Sequence, residues 1–143
     1  LEFIDNYIGM MMLRYSGSLE YKMECREDLK EESFPRFVLQ PVIENCFVHC
    51  RNKAEDMKIR VAIDKTEAGF VIEVRNTAEY AEEERLAQVT EQLRNTKEAS
   101  GEDVGLYNVV KRLRYLYGEE CSIILFREKN EVVSRISFPG KPS

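Results

Sequence analysis

MKIRVAIDKTEAGFVIEVRN, residues 57–76, decides the architecture. Apolar and polar residues alternate over 57–64 (MKIRVAID) and again over 69–76 (GFVIEVRN), the period of strands with one buried face. Only a short connection with a glycine separates them, so the pair reads as an antiparallel hairpin. A parallel pair would need a long crossover between its strands, and there is no room for one here. On the N-terminal side, LEYKMECR (19–26) alternates and reads as a third strand. Residues 27–35 are charged and end at Pro35, a loop. Residues 36–50 form a helical stripe of Leu39, Val42, Ile43, Cys46, Phe47 and Cys50. Pro41 falls in its first turns, where a missing N–H is expected to cost little.

On the C-terminal side, residues 79–94 read as a charged helix whose buried side is Leu86, Val89 and Leu93. Residues 95–104 (NTKEASGEDV) are a polar loop. Residues 105–117 are a further helix, stopped at Gly118, and CSIILFRE and VVSRISF are two closing strands. Two of the strand pairs have no helix between them, which excludes a doubly wound parallel sheet and predicts a two-layer α/β (α+β) sandwich. Residues 1–15 read as a helix with a heptad-like seam of Leu1, Ile4, Ile8, Met11 and Tyr15 and a second apolar face of Phe3, Tyr7 and Met10. Two apolar faces ask for two neighbours, one of them outside this sequence.

The 143 residues make one domain, and 43% apolar residues supply a core. A net charge of -5 argues against nucleic acid as a partner, because phosphate backbones select basic faces. No stretch has the length of a membrane span, and no signal peptide is visible. The first residue is Leu1, which reads as a boundary within a longer protein that carries any membrane anchor upstream. The four cysteines (Cys25, Cys46, Cys50, Cys121) show no C-x-x-C spacing and read as reduced, partly buried thiols.

Three stretches carry chemistry. In LQPVIENCFVHC (39–50), Asn45 and the single histidine, His49, fall together at one edge of the apolar stripe. An amide oxygen there suits Mg²⁺, a hard cation that accepts neutral oxygen ligands; the same spacing also suits an ordinary helix with two boundary polar residues. In GEDVGLYNVVKRL (101–113), a polar loop runs through Gly105 into a helix. Backbone N–H groups at a helix start attract phosphate, and glycine permits close approach; a plain glycine cap has the same pattern. In VIEVRNTAEY (71–80), a strand ends in Asn76-Thr77-Ala78, able to host a base-reading polar group or to make a plain turn.

In chain order and spacing the three stretches resemble the asparagine box and the two glycine boxes of the Bergerat (GHKL) ATPase fold, and more closely those of LytS/YesM-type sensor histidine kinases. The family's asparagine box typically reads LQPLVENAIKHG, against LQPVIENCFVHC here. The opening FIDNYIGMMMLRYSGSLEY and the closing ISFP also look like family segments, so the resemblance covers nearly the whole chain. It implies a mixed, largely antiparallel sheet with helices on one face, residues 1–18 as the tail of a dimerisation and phosphoacceptor region, and residues 19–143 as an ATP-binding catalytic domain with its lid at 95–104. ATP and Mg²⁺ are the implied cofactors. Asn45 matches the residue that holds Mg²⁺ on the phosphates, and His49 the histidine near them. Asn76 and Thr77 match the adenine-reading box. Gly101, Val104, Gly105, Leu106 and Asn108 match the loop and helix start around the phosphates. The implied partners are ATP, a phosphoacceptor helix of the same protein, a response regulator and a second copy of the full-length chain. The implied setting is the cytoplasmic part of a membrane-bound sensor kinase.

The departures point the other way. Asn76 stands where the family has aspartate, and a neutral amide is the weaker acceptor, by about 1 kcal/mol. Asp103 replaces a glycine beside the phosphates, Val48 a lysine and Cys50 a glycine. These changes predict weakened ATP affinity and keep open a degenerate module that binds or dimerises rather than transfers phosphate. The family's asparagine-proline-histidine phosphoacceptor motif is not in this sequence, so the chain alone is not expected to autophosphorylate. No residue is assigned as a general base; Glu44 points to another helix face. A zinc reading of Cys46, His49 and Cys50, with Cys25 as fourth ligand, competes with plain packing of the two helix cysteines.

Overall fold

The hairpin forms as its alternation requires. Strands β2 (Met57–Thr66) and β3 (Gly69–Thr77) pair antiparallel, with Val61 opposite Val74 and Ile63 opposite Ile72. The structure is a computed structural model, and it describes residues 6, 9, 10, 19–25, 36–49, 57–67, 69–77, 82–95 and 104–139. The other described elements are β1 (Leu19–Cys25), α1 (Arg36–His49), α2 (Glu83–Arg94), α3 (Val104–Tyr117), β4 (Ser122–Glu128) and β5 (Glu131–Phe138). Asn6, Gly9 and Met10 have helical backbone; the seam expected over residues 1–15 lies outside the described residues, as do residues 27–35, 79–81 and 96–103.

The five strands form one mixed sheet in the order β1-β2-β3-β5-β4. β1 and β2 run parallel, with α1 in the crossover between them, while the other three pairings are antiparallel. One face is apolar: Ile59, Val61 and Ile63 of β2, Ile72 and Val74 of β3, Ile123 and Leu125 of β4, and Val132 and Ile136 of β5 all face the helices. Against them pack Leu39, Val42 and Ile43 of α1, Leu86, Val89 and Leu93 of α2, and Leu106, Val109, Val110 and Leu113 of α3. The opposite face carries paired charges. Arg135 pairs with Glu73 at 2.7 Å and Arg60 with Glu131 at 3.0 Å, which explains the strict alternation in the sequence.

The boundaries differ from the sequence expectations in informative places. α2 begins at Glu83 rather than 79, because Glu82 is extended (φ -81°, ψ 131°) and the first buried residue of the stripe is Leu86. Pro41 is the sixth residue of α1, past the first four positions whose N–H groups lack an intrahelical acceptor. It therefore removes one helix hydrogen bond, that to the Phe37 carbonyl, rather than sitting where the loss is free. α3 ends as expected: Gly118 takes φ +101°, a left-handed conformation that a side chain would strain, and its N–H bonds the Arg114 carbonyl at 2.9 Å.

α2 lies against β4, the edge strand. The buried Thr90 hydroxyl accepts from the Leu125 N–H at 2.9 Å and donates to the Leu125 carbonyl at 3.1 Å. It completes the backbone hydrogen bonding of that strand residue on the side where, among the described residues, no further strand pairs with β4.

Candidate functional site

α1 is the hinge of the site, because it packs on both β3 and α3. Its inner stripe of Leu39, Val42, Ile43 and Cys46 is buried, and that burial carries Asn45 inward to 5% exposure. The sequence put Asn45 at the edge of the stripe; the fold draws it within. Glu44 is exposed on another face, with Gln40 Nε2 donating to its Oε1 at 3.5 Å, as expected of a surface carboxylate. His49 closes the helix, and its side chain lies outside the described residues.

β3 supplies the second element. Asn76 sits on the helix-facing side of the sheet, opposite Ile59 on β2 and Val132 on β5, and is 1% exposed. Its Nδ2 donates to the Thr77 carbonyl oxygen at 3.3 Å, and its Oδ1 is buried with no hydrogen-bond partner. The orientation of the amide follows from that contact: turned over, its oxygen would face another acceptor. A buried acceptor without a donor carries a desolvation cost of about 1–3 kcal/mol, so it asks for an explanation. Thr77 is half-buried, and its Oγ1 accepts from the Lys58 N–H at 3.3 Å where the hairpin ladder ends.

α3 supplies the third. Val104, Gly105 and Asn108 are exposed on its first turns, whereas the Leu106 side chain is in the core, leaving only its backbone N–H for any ligand. Among the described residues a methyl group at Gly105 would meet only the Pro41 Cβ, at 3.8 Å, which places the start of α3 beside α1. The first turn has no acidic residue, so its free N–H groups and the positive end of the helix dipole are uncompensated from within the helix. Gly101 and Asp103 lie outside the described residues. Arg114 anchors the far end of the intervening segment: its guanidinium donates to the Arg94 carbonyl at 3.1 Å and to the Cys121 carbonyl at 3.3 Å. These two contacts pin the end of α2 to α3.

α1 thus carries a buried amide and β3 a buried acceptor without a partner, and α1 packs on both β3 and α3. The donor set fits a nucleotide with a hard cation: an N–H of a base for Asn76 Oδ1, phosphate for the α3 amides, and a neutral oxygen from Asn45 for Mg²⁺. Among the described residues no three His, Cys, Asp or Glu side chains cluster, and the Cys46 thiol donates to the Val42 carbonyl at 3.5 Å. The remaining residues of the zinc reading, Cys50 and the side chains of His49 and Cys25, lie outside the described set.

No family model matches the chain. It is 30% identical to the sensor protein LytS of Bacillus cereus over 132 residues, which is 92% of the chain and 22% of LytS. It is 21% identical over 131 residues to the sensor protein kinase HptS of Staphylococcus aureus, 92% of the chain and 25% of HptS. Among solved structures it is similar to the nucleotide-free catalytic domain of the histidine kinase ThkA, with a TM-score of 0.71 at 17% identity, covering 99% of the chain and 92% of that domain. The chain therefore spans no more than about a quarter of the length of these curated relatives.

Proposed function

Because the chain is related to the LytS sensor proteins and has the fold of histidine-kinase catalytic domains, we propose that it binds MgATP and presents it for phosphoryl transfer to a histidine elsewhere in a longer protein. The observation that carries this reading is the buried, unpartnered Oδ1 of Asn76. Oδ1 accepts the amino group of adenine. The amides at Val104, Gly105 and Leu106 take the phosphates, and the Asn45 oxygen reaches their Mg²⁺. Thr77, Asn108, Gly101 and His49 line the same site. Bound MgATP supplies the transferable phosphoryl group. The protein's part is positioning and charge neutralisation, since phosphoryl transfer needs little covalent help from side chains.

On this reading residues 19–143 are the catalytic domain, with residues 95–104 as its lid, and residues 1–18 lead back to a phosphoacceptor helix. The longer protein is a dimeric, membrane-bound sensor kinase with this domain in the cytoplasm and a response regulator as its phosphate acceptor. Among the described residues no helix is long and apolar enough to cross a membrane. His49, the one histidine of the chain, belongs to α1, so the acceptor histidine is not among these 143 residues.

Calorimetric titration with ATP and Mg²⁺, beside an Asn45→Ala variant, tests the reading. Binding in the micromolar to sub-millimolar range that weakens in the variant supports it. A folded chain that takes up no ATP at millimolar concentration refutes it and leaves the second reading, a kinase-like module that binds or dimerises without nucleotide. The neutral Asn76 in place of a carboxylate is what favours that second reading.

A further inference from the structure

A groove of about 690 Å³ runs along the C-terminal half of α3. Lys111, Arg112 and Arg114 make it basic, with Glu119 as the one acid among its described lining residues, and Tyr115 and Leu116 supply its apolar surface. Tyr115 is 89% exposed and Leu116 39%. Lys111 stands one turn from a tyrosine on either side, its Nζ 6.0 Å from the centre of the Tyr107 ring. The core does not use these side chains, since Leu106, Val109, Val110 and Leu113 form the buried face of α3. An exposed tyrosine among arginine and lysine is the make-up of a protein contact, because a rigid aromatic ring covers much area at little entropic cost.

The complement of this groove is on the same molecule. α2 opens with Glu82, Glu83 and Glu84, followed by Arg85, all exposed. Three acids and one base there match three bases and one acid in the groove. Within one chain the two clusters are held apart. Arg114 donates to the Arg94 carbonyl, so α2 and α3 meet at their C-terminal ends, and the glutamates stand roughly 15 Å back along α2. A two-fold axis that sets two copies antiparallel brings the α2 start of each against the α3 groove of the other and makes both contacts at once. We propose that this α2–α3 face is a self-complementary contact between two copies of the chain. Lys111 and Arg112 of each copy meet Glu83 and Glu84 of the other around Tyr115 and Leu116, and Glu119 meets Arg85. The contact does not rest on the nucleotide reading, and it is made by α2 and α3, not by the helical region assigned to residues 1–18. Gly105 lies about 15 Å from Tyr115 along α3, so a copy seated in the groove leaves the start of that helix open.

Sedimentation equilibrium of the chain in about 50 mM salt, at up to about 1 mM protein, reads the contact. The expected result is a dimer that weakens at least about tenfold when salt is raised to about 500 mM, where screening acts over the width of the contact. Reversing the charge on one side alone, Lys111→Glu with Arg112→Glu or Glu83→Lys with Glu84→Lys, should abolish the dimer, since like charges then face each other. Mixing the two variants should restore association at one to one: the reversed clusters match each other, and so do the unaltered ones. A chain that stays monomeric at the highest concentration overturns the proposal. So does a dimer that survives either reversal, or a mixture that recovers no association. Melting curves check that each variant is folded. Should a reversal variant fail to fold, Tyr115→Ser, which alters only an exposed side chain, takes its place, and an unchanged dimer affinity in that variant overturns the proposal.

Discussion

Replacing Gly105 with alanine separates what the fold needs from what a ligand needs. Gly105 is the second residue of α3, exposed, with helical rather than left-handed backbone. The added methyl would meet the Pro41 Cβ at 3.8 Å, an ordinary van der Waals contact, and nothing else within 4 Å among the described residues. Glycine in a helix costs about 0.5–1 kcal/mol relative to alanine, less in the first turn. The variant should therefore melt at the same temperature or a few degrees higher, about 1–4 °C for a domain of this size. Affinity should move the other way. A charge-assisted hydrogen bond from a backbone N–H to phosphate is worth about 1.5–3 kcal/mol, so blocking one costs about 10- to 100-fold in Kd. Thermal melting and ATP-Mg²⁺ calorimetry on the same preparation read both quantities. An unchanged Kd would refute the role of this glycine in admitting phosphate, and a lowered melting temperature would refute the packing argument.

Two further expectations concern stability. Thr90→Val keeps the shape but leaves the buried N–H and carbonyl of Leu125 without partners; urea unfolding should show a loss of about 2–4 kcal/mol, and a loss under about 1 kcal/mol would mean that water reaches that edge. Burial, only partly offset by Arg114, raises the Cys121 thiol above its ordinary 9.0, and burial likewise raises the Tyr117 hydroxyl above 10.0. Both keep their protons longer in the fold than in the unfolded chain, so stability should hold below pH 9.0 and fall as pH rises beyond it. A melting temperature flat from neutral pH through that range would contradict the assignment.

Local pattern carried most of the fold into view. The alternation at residues 57–64 and 69–76 reports a buried face directly, and Gly118 marks the end of α3 by its conformational freedom alone. What stayed hidden is non-local. That β1 joins β2 in parallel, and that β5 inserts between β3 and β4, depends on packing partners far apart in sequence, which periodicity does not encode. The start of α2 differs from the periodicity because Glu82 is extended and the buried stripe begins only at Leu86. At the site, motif spacing picked out Asn45, Asn76 and Gly105, and the structure sets each on a defined element. It could not reveal that Asn76 Oδ1 is bare, since that is a property of the neighbours and not of the residue.

The position of β5 has a consequence for synthesis. A ribosome releases β2 and β3 as a hairpin with one side of β3 open, and the strand that closes it, residues 131–138, emerges more than fifty residues later. Until then β3 offers a row of unpaired amides and carbonyls on a segment with buried-face residues Phe70, Ile72 and Val74, the kind of edge that recruits other chains. Its outward-facing Glu73 and Arg75 guard that edge during the wait, and after closure the same Glu73 becomes the partner of Arg135 on the arriving strand.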